Sequence, residues 1–279
     1  MNPNNLKKSL LNYAIEGNLS AKFRREKPNL NALEELETYN QKIQLLKSQR
    51  EQWKKNLEKL EKKTADSAKK QRIKSLLTKL KKRISTYQSI TPITDDEEIP
   101  FEIPKSWAWV RLGEICKINP RNDIEDSLDV SFIPMALISD SFKNTFSSET
   151  RKWKDVKKNF THLMNNAIAF AKITPCFQNQ KSIILKNLQN RYGAGTTELI
   201  VLLPKNKSIL DYLYFLINSP YFIQNGEREM TGTAGQQRVS TEFVKNFSIP
   251  LPPIEEQKFI CGEIERLLTL CSKIREKQI

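Results

Sequence analysis

Two short segments of the chain are rich in amide and cationic side chains that can form paired hydrogen bonds. They lie in predicted loops and consist of Gln178, Asn179, Gln180 and Lys181 in one, and of Gln236, Gln237 and Arg238 in the other. Gln or Asn can bond the edge of adenine, and Arg or Lys the edge of guanine, in duplex DNA. The residue types therefore predict contacts with bases. The alternative is a role in turns or scaffold packing, which Gly232 and Gly235 favour for the second segment because glycine permits unusual backbone angles.

A third segment concentrates cations around Trp153. The cations are Arg151, Lys152, Lys154, Lys157 and Lys158, and the segment is predicted to be a loop ahead of a strand. Such a cluster suits phosphate contacts, which supply affinity for nucleic acid but carry no direct sequence information. A solvated surface loop has the same composition, so both interpretations stay open.

Residues that could support catalysis or hold a metal are not arranged for either task. Cys176 would need a base, but the chain has one histidine, His162, and it does not follow the cysteine. The four cysteines lack zinc-site spacing and are expected to be buried, reduced thiols, and the acidic run 95–98 is typical of a solvated linker. The sequence has neither a Gly-rich phosphate loop nor an Asn/Asp-Pro-Pro-aromatic methylation motif. We therefore predict a protein that is not an enzyme and that needs no cofactor or metal.

Positive charge is concentrated in the N-terminal third of the chain. The 279 residues carry 46 Lys/Arg and 32 Asp/Glu, a net charge of +14. Residues 1–92 hold 22 of the cations and 9 of the acids, a net charge of +13, which leaves +1 for residues 93–279. An excess of this kind suggests an anionic partner, although a basic helix can also be a solvated face.

Apolar residues at alternating spacings of three and four predict three coiled-coil helices. The first stripe spans residues 36–60 and the second 73–87, which together predict a basic helical hairpin. The third has Glu255 and Glu256 in its first turn and continues through Ile260, Ile264, Leu267, Cys271 and Ile274. It reaches Ile279 without a capping signal, so we expect that the chain stops inside this helix.

The region between these helices changes to short β-like runs. They lie at residues 131–138, 167–173, 182–185 and 199–203, and an apolar helix is predicted at 209–218 with another opening at Pro220. Residues 107–112 alternate as a half-exposed strand would. We predict an α+β fold, in which a mixed α/β domain is flanked by long coiled-coil helices. The expected limits are 1–92 for the N-terminal helical region, 93–252 for the domain and 253–279 for the C-terminal spacer helix.

Five segments of the chain, in order, resemble conserved segments of the specificity subunits of type I restriction-modification systems. They are Glu98–Ile115, Ile173–Cys176, Gly195–Val201, Gly232–Arg238 and Ile249–Gln257, and Leu6–Gly17 is similar to the end of that family's conserved helices. The resemblance implies a DNA target-recognition domain that reads part of a duplex target, while separate subunits methylate adenine and cut. Family members commonly carry two recognition domains, and this chain has one.

The resemblance also implies the partners. They are double-stranded DNA, a modification methyltransferase subunit and a restriction translocase-nuclease subunit. Independently of the resemblance, a homodimer is one way to cover the apolar stripe of the C-terminal helix. No run approaches the roughly 18 apolar residues of a membrane span, and a cytoplasmic location is expected. Two other functions stay open: a coiled-coil assembly protein with incidental basic charge, and a DNA methyltransferase or nuclease with its own active site.

Overall fold

The N-terminal region is helical in the computed structural model, which describes residues 3–141 and 143–276. The helices are α1 (Pro3–Ile15), α2 (Ala21–Glu26), α3 (Ala32–Lys63) and α4 (Ser67–Ile84). Helices α3 and α4 form the predicted hairpin, with Ile73, Leu77 and Ile84 of α4 buried in its seam. The side chain of Asp66 accepts hydrogen bonds from the backbone amides of Ala68 and Lys69, so α4 is capped directly after the turn.

The strands between the helical regions form three small sheets within the described residues. Their order is β1-β10, β2-β9-β6-β7 and β4-β3-β8-β5, and only the β3–β8 pair is parallel. The bounds are β1 Ala108–Arg111, β2 Cys116–Ile118, β3 Asp129–Ile133, β4 Glu149–Lys152, β5 Thr161–Met164, β6 Ala167–Ala171, β7 Ser182–Leu185, β8 Tyr192–Gly195, β9 Leu199–Pro204 and β10 Ser248–Leu251. These mixed sheets, together with the long helices, confirm the predicted α+β fold class.

Six further helices follow or interrupt the strands in the described part of the chain. They are α5 Leu112–Ile115, α6 Trp153–Val156, α7 Leu210–Ile217, α8 Pro220–Arg228, α9 Thr241–Asn246 and α10 Ile254–Glu276. The predicted helices at residues 209–218 and after Pro220 are confirmed as α7 and α8. None of the described helices is both long enough and apolar enough to cross a membrane.

Strand β8 was not among the predicted runs, and its glycines explain why. A Cβ atom added at Gly193 would lie 2.6 Å from the carbonyl oxygen of Ser131 on the parallel strand β3. The backbones therefore approach so closely that only glycine fits, and the strand lacks the alternating apolar side chains by which strands are recognised in sequence.

Strand β1 is buried on both faces, so the prediction of a half-exposed strand was wrong. Trp107 and Trp109 are 3% and 4% exposed, and Val110 on the opposite face is fully buried. The second face is covered by aromatic rings, since Phe101 lies edge-on to Trp109 with ring centroids 4.9 Å apart. A ring contributed from outside the strand is not visible in the alternation of the strand's own residues.

One hydrophobic core joins the helical regions to the sheets. It contains Leu11 of α1, Leu36 of α3, Val110 of β1 and both Ile260 and Ile264 of α10. The first half of α10 is thus covered by the same chain. Farther along, Leu267 and Cys271 are only half-buried and Leu270 is exposed, while the side chain of Ile274 lies outside the described residues.

A buried carboxylate in the first turn of α10 fixes this helix to the N-terminal region. Glu256 is completely buried and accepts hydrogen bonds from Ser20 Oγ at 2.6 Å and from Arg24 Nη1 at 2.7 Å. In addition, the carboxylate of Glu35 on α3 accepts a hydrogen bond from the backbone amide of Ile254 at 2.9 Å. Burial raises the pKa of Glu35, and the bond from Ile254 opposes that rise.

We expect the substitution Glu256→Ala to lower the free energy of unfolding by at least about 2 kcal/mol, because it leaves the buried Ser20 hydroxyl and the Arg24 guanidinium without their acceptor. Glu255→Ala is the matched control, because the neighbouring Glu255 forms an exposed ion pair with Lys27. Such pairs contribute about 0–1 kcal/mol. Urea unfolding of the full chain measures both variants, and equal losses would contradict the prediction.

Candidate nucleic-acid interface

The two predicted base-contacting segments belong to loops that meet at one end of the sheet β2-β9-β6-β7. The backbone amide of Thr174 donates to the carbonyl oxygen of Gln237 at 3.0 Å, and the amide of Gln237 donates to Thr174 Oγ1 at 3.1 Å. Two residues farther along, the amide of Val239 donates to the carbonyl of Lys172 at 2.9 Å. The loop 231–238 is therefore attached to the turn 173–181 that joins β6 to β7.

An ion pair adds a third segment to this end of the sheet. Arg238 binds Glu198 with two hydrogen bonds, from Nε to Oε2 and from Nη2 to Oε1, each 2.9 Å long. This bonding lowers the pKa of the Glu198 carboxyl and raises the pKa of Arg238. Glu198 directly precedes β9, and its carbonyl oxygen accepts a hydrogen bond from the amide of Lys172 at 2.9 Å. The segments 173–176, 195–201 and 232–238, far apart in sequence, are thus one structural unit.

The loop before β4 completes the group. The amide of Ser141 donates to the carbonyl of Asn179 at 2.8 Å. Lys181 Nζ donates to the carbonyls of Met135 and Ile138 at 3.2 and 3.0 Å, and the Gln180 side chain donates to the carbonyl of Asn218. We call the three segments 139–141 with 143–145, 173–181 and 231–238 the rim loops. Within them, the Gln180 and Lys181 side chains are occupied in holding the loops together.

Four amide side chains of the predicted set are available at the rim loops. Gln178, Asn179 and Gln236 are exposed and Gln237 is half-buried. None of these four side chains has a hydrogen-bond partner in the part of the chain that the structure describes. Within the loop 231–238, Gly232 and Gly235 adopt φ angles of 121° and 78°. These angles favour glycine, so the backbone role that the sequence suggested for both residues is confirmed alongside the exposed amides.

The cation cluster lies in the other four-stranded sheet and is not the predicted loop. Arg151 and Lys152 end strand β4, and Lys154 lies in helix α6. The loop prediction was wrong because Trp153 and Val156 are 2% and 1% exposed and pack in a small core of their own. Two buried apolar side chains within four residues anchor the segment to the sheet.

Most of these cations already have a carboxylate partner. Distances are 2.7 Å for Arg151–Glu149, 2.8 Å for Lys152–Asp129 and 2.6 Å for Lys157–Asp126. Lys154 and Lys158 are exposed and have no such partner among the described residues.

The cluster is also set apart from the rim loops. Lys152 pairs with Asp129 at the first residue of β3, whereas the rim loops contact Met135 and Ile138 beyond its last residue. A strand of five residues is about 16 Å long, so the two groups lie at opposite ends of β3.

The histidine and two of the cysteines are in surroundings that disfavour catalysis. His162 Nδ1 accepts a hydrogen bond from the amide of Asn122 at 2.8 Å, its Nε2 lies 3.0 Å from the carbonyl of Lys157, and burial lowers its pKa. Burial raises the pKa of the Cys116 thiol and raises that of Cys261 to about 12. Across residues 3–141 and 143–276, no three His, Cys, Asp or Glu side chains converge as metal ligands would.

Glu198 is the residue at this site that sequence analysis missed. It stands in the segment 195–201 that carried the family resemblance, but a carboxylate among apolar strand residues gives no sign of its partner. Arg238 is 40 positions later, and only the folded arrangement of β6, β9 and the loop 231–238 brings the two together. The one available signal was that both residues belong to segments of the same family pattern.

The chain is similar to known proteins of one family. Residues 104–279 match the model of the type I restriction modification DNA specificity domain. The chain is 45% identical over 195 residues to the type I restriction enzyme EcoAI specificity subunit of Escherichia coli, which covers 69% of this chain and 33% of the relative. It is 41% identical over 199 residues to the type I restriction enzyme EcoEI specificity subunit of the same organism. This match covers 71% of this chain and 33% of the relative.

The chain spans about a third of the length of these two relatives. Among solved structures, it is similar to the HsdS subunit from Thermoanaerobacter tengcongensis, with a TM-score of 0.45 and 14% identity over 88% of this chain and 51% of that one. The family match covers more than half of the residues, and it includes the rim loops, the cation cluster and α10. The chain therefore belongs to the family of type I restriction-modification DNA specificity domains.

Proposed function

We propose that this chain reads part of a duplex DNA target and holds a partner adenine methyltransferase and a restriction subunit on it, without catalysing a reaction itself. The observation that carries the proposal is the convergence of the family segments 173–176, 195–201 and 232–238 at one end of a sheet, where the rim loops leave hydrogen-bonding amides free at the surface. A protein that reads bases needs such amides on a rigid frame, because a bidentate contact depends on the position of both hydrogen-bonding groups.

Within the rim loops, reading and positioning fall to different side chains. Gln178, Asn179, Gln236 and Gln237 have free amides and are assigned to base edges. Arg238, bound by Glu198 through two hydrogen bonds, is assigned to positioning of the loop. Gln180 and Lys181 likewise act through the loops that they hold.

Phosphate contacts near the recognition domain fall to Lys154 and Lys158, the two cluster cations that are exposed and without a carboxylate partner in the described chain. Arg151, Lys152 and Lys157 would first have to exchange a carboxylate of their own chain for a phosphate. We propose that this function needs no cofactor in this chain and is carried out in the cytoplasm, together with the proposed ligand and partners.

We expect Gln237→Ala to relax preference at particular bases by about 1–3 kcal/mol, because one bidentate contact is lost. General affinity for DNA should change little. The measurement is selection of bound duplexes from a random pool by the chain in complex with its methyltransferase partner, followed by binding assays on single-base variants.

The positioning role of Arg238 is tested in the same assay with Arg238→Ala and Glu198→Ala. If Arg238 acts through the loop, both variants relax the same bases to a similar degree, since each releases the loop. A loss confined to Arg238→Ala would instead make Arg238 itself a reader. Uniform loss across all sequences for Gln237→Ala would contradict base reading at the rim loops.

We also propose that the second half of α10 binds a helix of a second copy of this chain. Ile260 and Ile264 are buried by the same chain, but Leu267 and Cys271, which continue the stripe, are only half-buried. An apolar stripe on a long helix is stabilised when another helix covers it. A two-fold dimer would carry two identical recognition domains and would read a symmetric, interrupted target.

We expect light scattering of the wild-type chain to give the mass of a dimer, and Leu267→Asp to give the monomer, because the variant places a charge in the apolar contact. Glu265→Asp, at an exposed position of the same helix, is the control and should stay dimeric. A monomeric wild type with unchanged behaviour in Leu267→Asp would contradict the proposal.

A further inference from the structure

Positive charge and the rim loops lie in different parts of the chain. Residues 93–279 carry a net charge of +1, whereas residues 1–92 carry +13. Neutralisation of phosphates by Lys and Arg supplies most of the salt-dependent affinity of proteins for duplex DNA. The domain that is proposed to read the bases thus has little net positive charge with which to attract the phosphates of DNA.

Many cations of that domain are, in addition, already neutralised within the chain. Arg151, Lys152, Lys157 and Arg238 each have a carboxylate oxygen within 2.9 Å. A cation paired in this way contributes less to binding, because the carboxylate competes with the phosphate. The affinity has to come from cations without such partners.

Helix α4 holds a dense set of such cations. From Ser67 to Ile84 it contains no Asp or Glu, and its N-cap Asp66 is engaged by backbone amides. None of its cations has a carboxylate oxygen of the described chain within 4.0 Å, and all of them are exposed. The cations are Lys69, Lys70, Arg72, Lys74, Lys79, Lys81, Lys82 and Arg83.

The two sides of the hairpin differ in charge. At about 100° per residue, the positions on α4 fall to either side of its buried seam. On one side Lys81 lines a groove with Glu51 and Lys54 of α3, so carboxylates partly compensate it. On the other side α3 presents the uncharged, exposed residues Gln49, Gln52 and Asn56. We call the cations of α4 on this uncompensated side the cationic stripe: Lys69, Arg72, Lys79 and Arg83.

The stripe has suitable dimensions and a fixed position. Its ends are 14 residues apart, which is about 21 Å along a helix. One strand of duplex DNA places a phosphate about every 3.4 Å, so a stripe of this length passes enough phosphates for all four cations. At the base of the hairpin, the Asn40 side chain forms two hydrogen bonds of 2.8 Å with the backbone of Ile90, and the amide of Ala32 donates to Ser106 at 2.8 Å. The hairpin is therefore fixed to the globular domain.

We propose that the cationic stripe binds the phosphate backbone of duplex DNA outside the bases that the rim loops read. The hairpin supplies sequence-independent affinity, and the rim loops supply specificity. This inference rests on the proposed function only in taking duplex DNA as the ligand.

The same side of the hairpin also has exposed apolar residues, which suit a different ligand. Trp53, Leu60 and Leu76 are 57%, 52% and 52% exposed. An acidic amphipathic helix of a protein would bury these side chains against its apolar face. Phosphates do not require them, and this difference separates the two ligands experimentally.

The test measures binding of the full chain to a short duplex without the target, at salt concentrations from about 50 to about 200 mM. The stripe variant carries Lys69→Gln, Arg72→Gln, Lys79→Gln and Arg83→Gln. The control carries Lys22→Gln, Lys186→Gln, Lys245→Gln and Arg266→Gln, which change the net charge equally but remove cations that are ion-paired within the chain. We expect the slope of log affinity against log salt to fall in magnitude by about 3 in the stripe variant, and by less than about 1 in the control.

Two further variants complete the test. Lys69→Arg with Lys79→Arg keeps the charge and should keep the wild-type slope. Replacement of Trp53, Leu60 and Leu76 by Gln should also leave it unchanged. An unchanged slope in the stripe variant would overturn the proposal, and so would a loss of duplex binding in the apolar variant alone. The ratio of target to non-target affinity tests the proposed function separately, and the stripe variant should retain it.

Discussion

The antiparallel pairing of β1 with β10 is the constraint on which the arrangement of the molecule depends. It joins Ala108 to Leu251 and Arg111 to Ser248, so the recognition domain begins and ends at the same place. The hairpin before it and α10 after it therefore share one base. Glu35 accepts a hydrogen bond from the amide of Ile254, the first residue of α10, and Ser20 and Arg24 bind Glu256 in the same turn. Two helices that are more than 200 residues apart in sequence emerge from the domain as neighbours because one short sheet closes it.

The rim loops are likewise segments from distant parts of the sequence that hydrogen bonds hold together. Loops gain a fixed shape when their polar groups bond to one another, and here Arg238 bonds to Glu198 while the amide of Thr174 bonds to the carbonyl of Gln237. The side chains that hold the loops are then no longer free to bind a ligand. This explains why the most familiar DNA-reading residue type in the segment, an arginine, points to a carboxylate, while the neighbouring glutamines stay free.

Sequence alone predicted the parts of the fold that rest on local periodicity. The hairpin and α10 repeat apolar residues at spacings of three and four. Helix α7 and four of the strands are short apolar runs, and α8 begins at Pro220, so these elements appear where expected. Strand β8 escaped prediction because its glycines serve a close backbone contact, and β1 was misjudged because Phe101 covers it from outside the strand. For the site, residue types and family segments identified the right loops. They could not show that Arg238 is paired with Glu198, since a pairing across 40 positions is a property of the folded chain.

The proposed separation of affinity from specificity would have a physical advantage, because a sequence-reading DNA-binding protein has to search a long polymer. Contacts with phosphates are the same at every site, so cations on a rigid hairpin can hold the duplex while the protein moves along it. Contacts with base edges stabilise the complex with the target sequence and contribute little on other sequences. Cations that contact phosphates strengthen all of these complexes alike, so they do not add to the difference in affinity between target and non-target DNA. A recognition domain with a net charge close to zero and paired cations keeps that difference large. On the proposed division of roles, the unequal distribution of charge along the chain, +13 in residues 1–92 and +1 in residues 93–279, would follow from what each part binds.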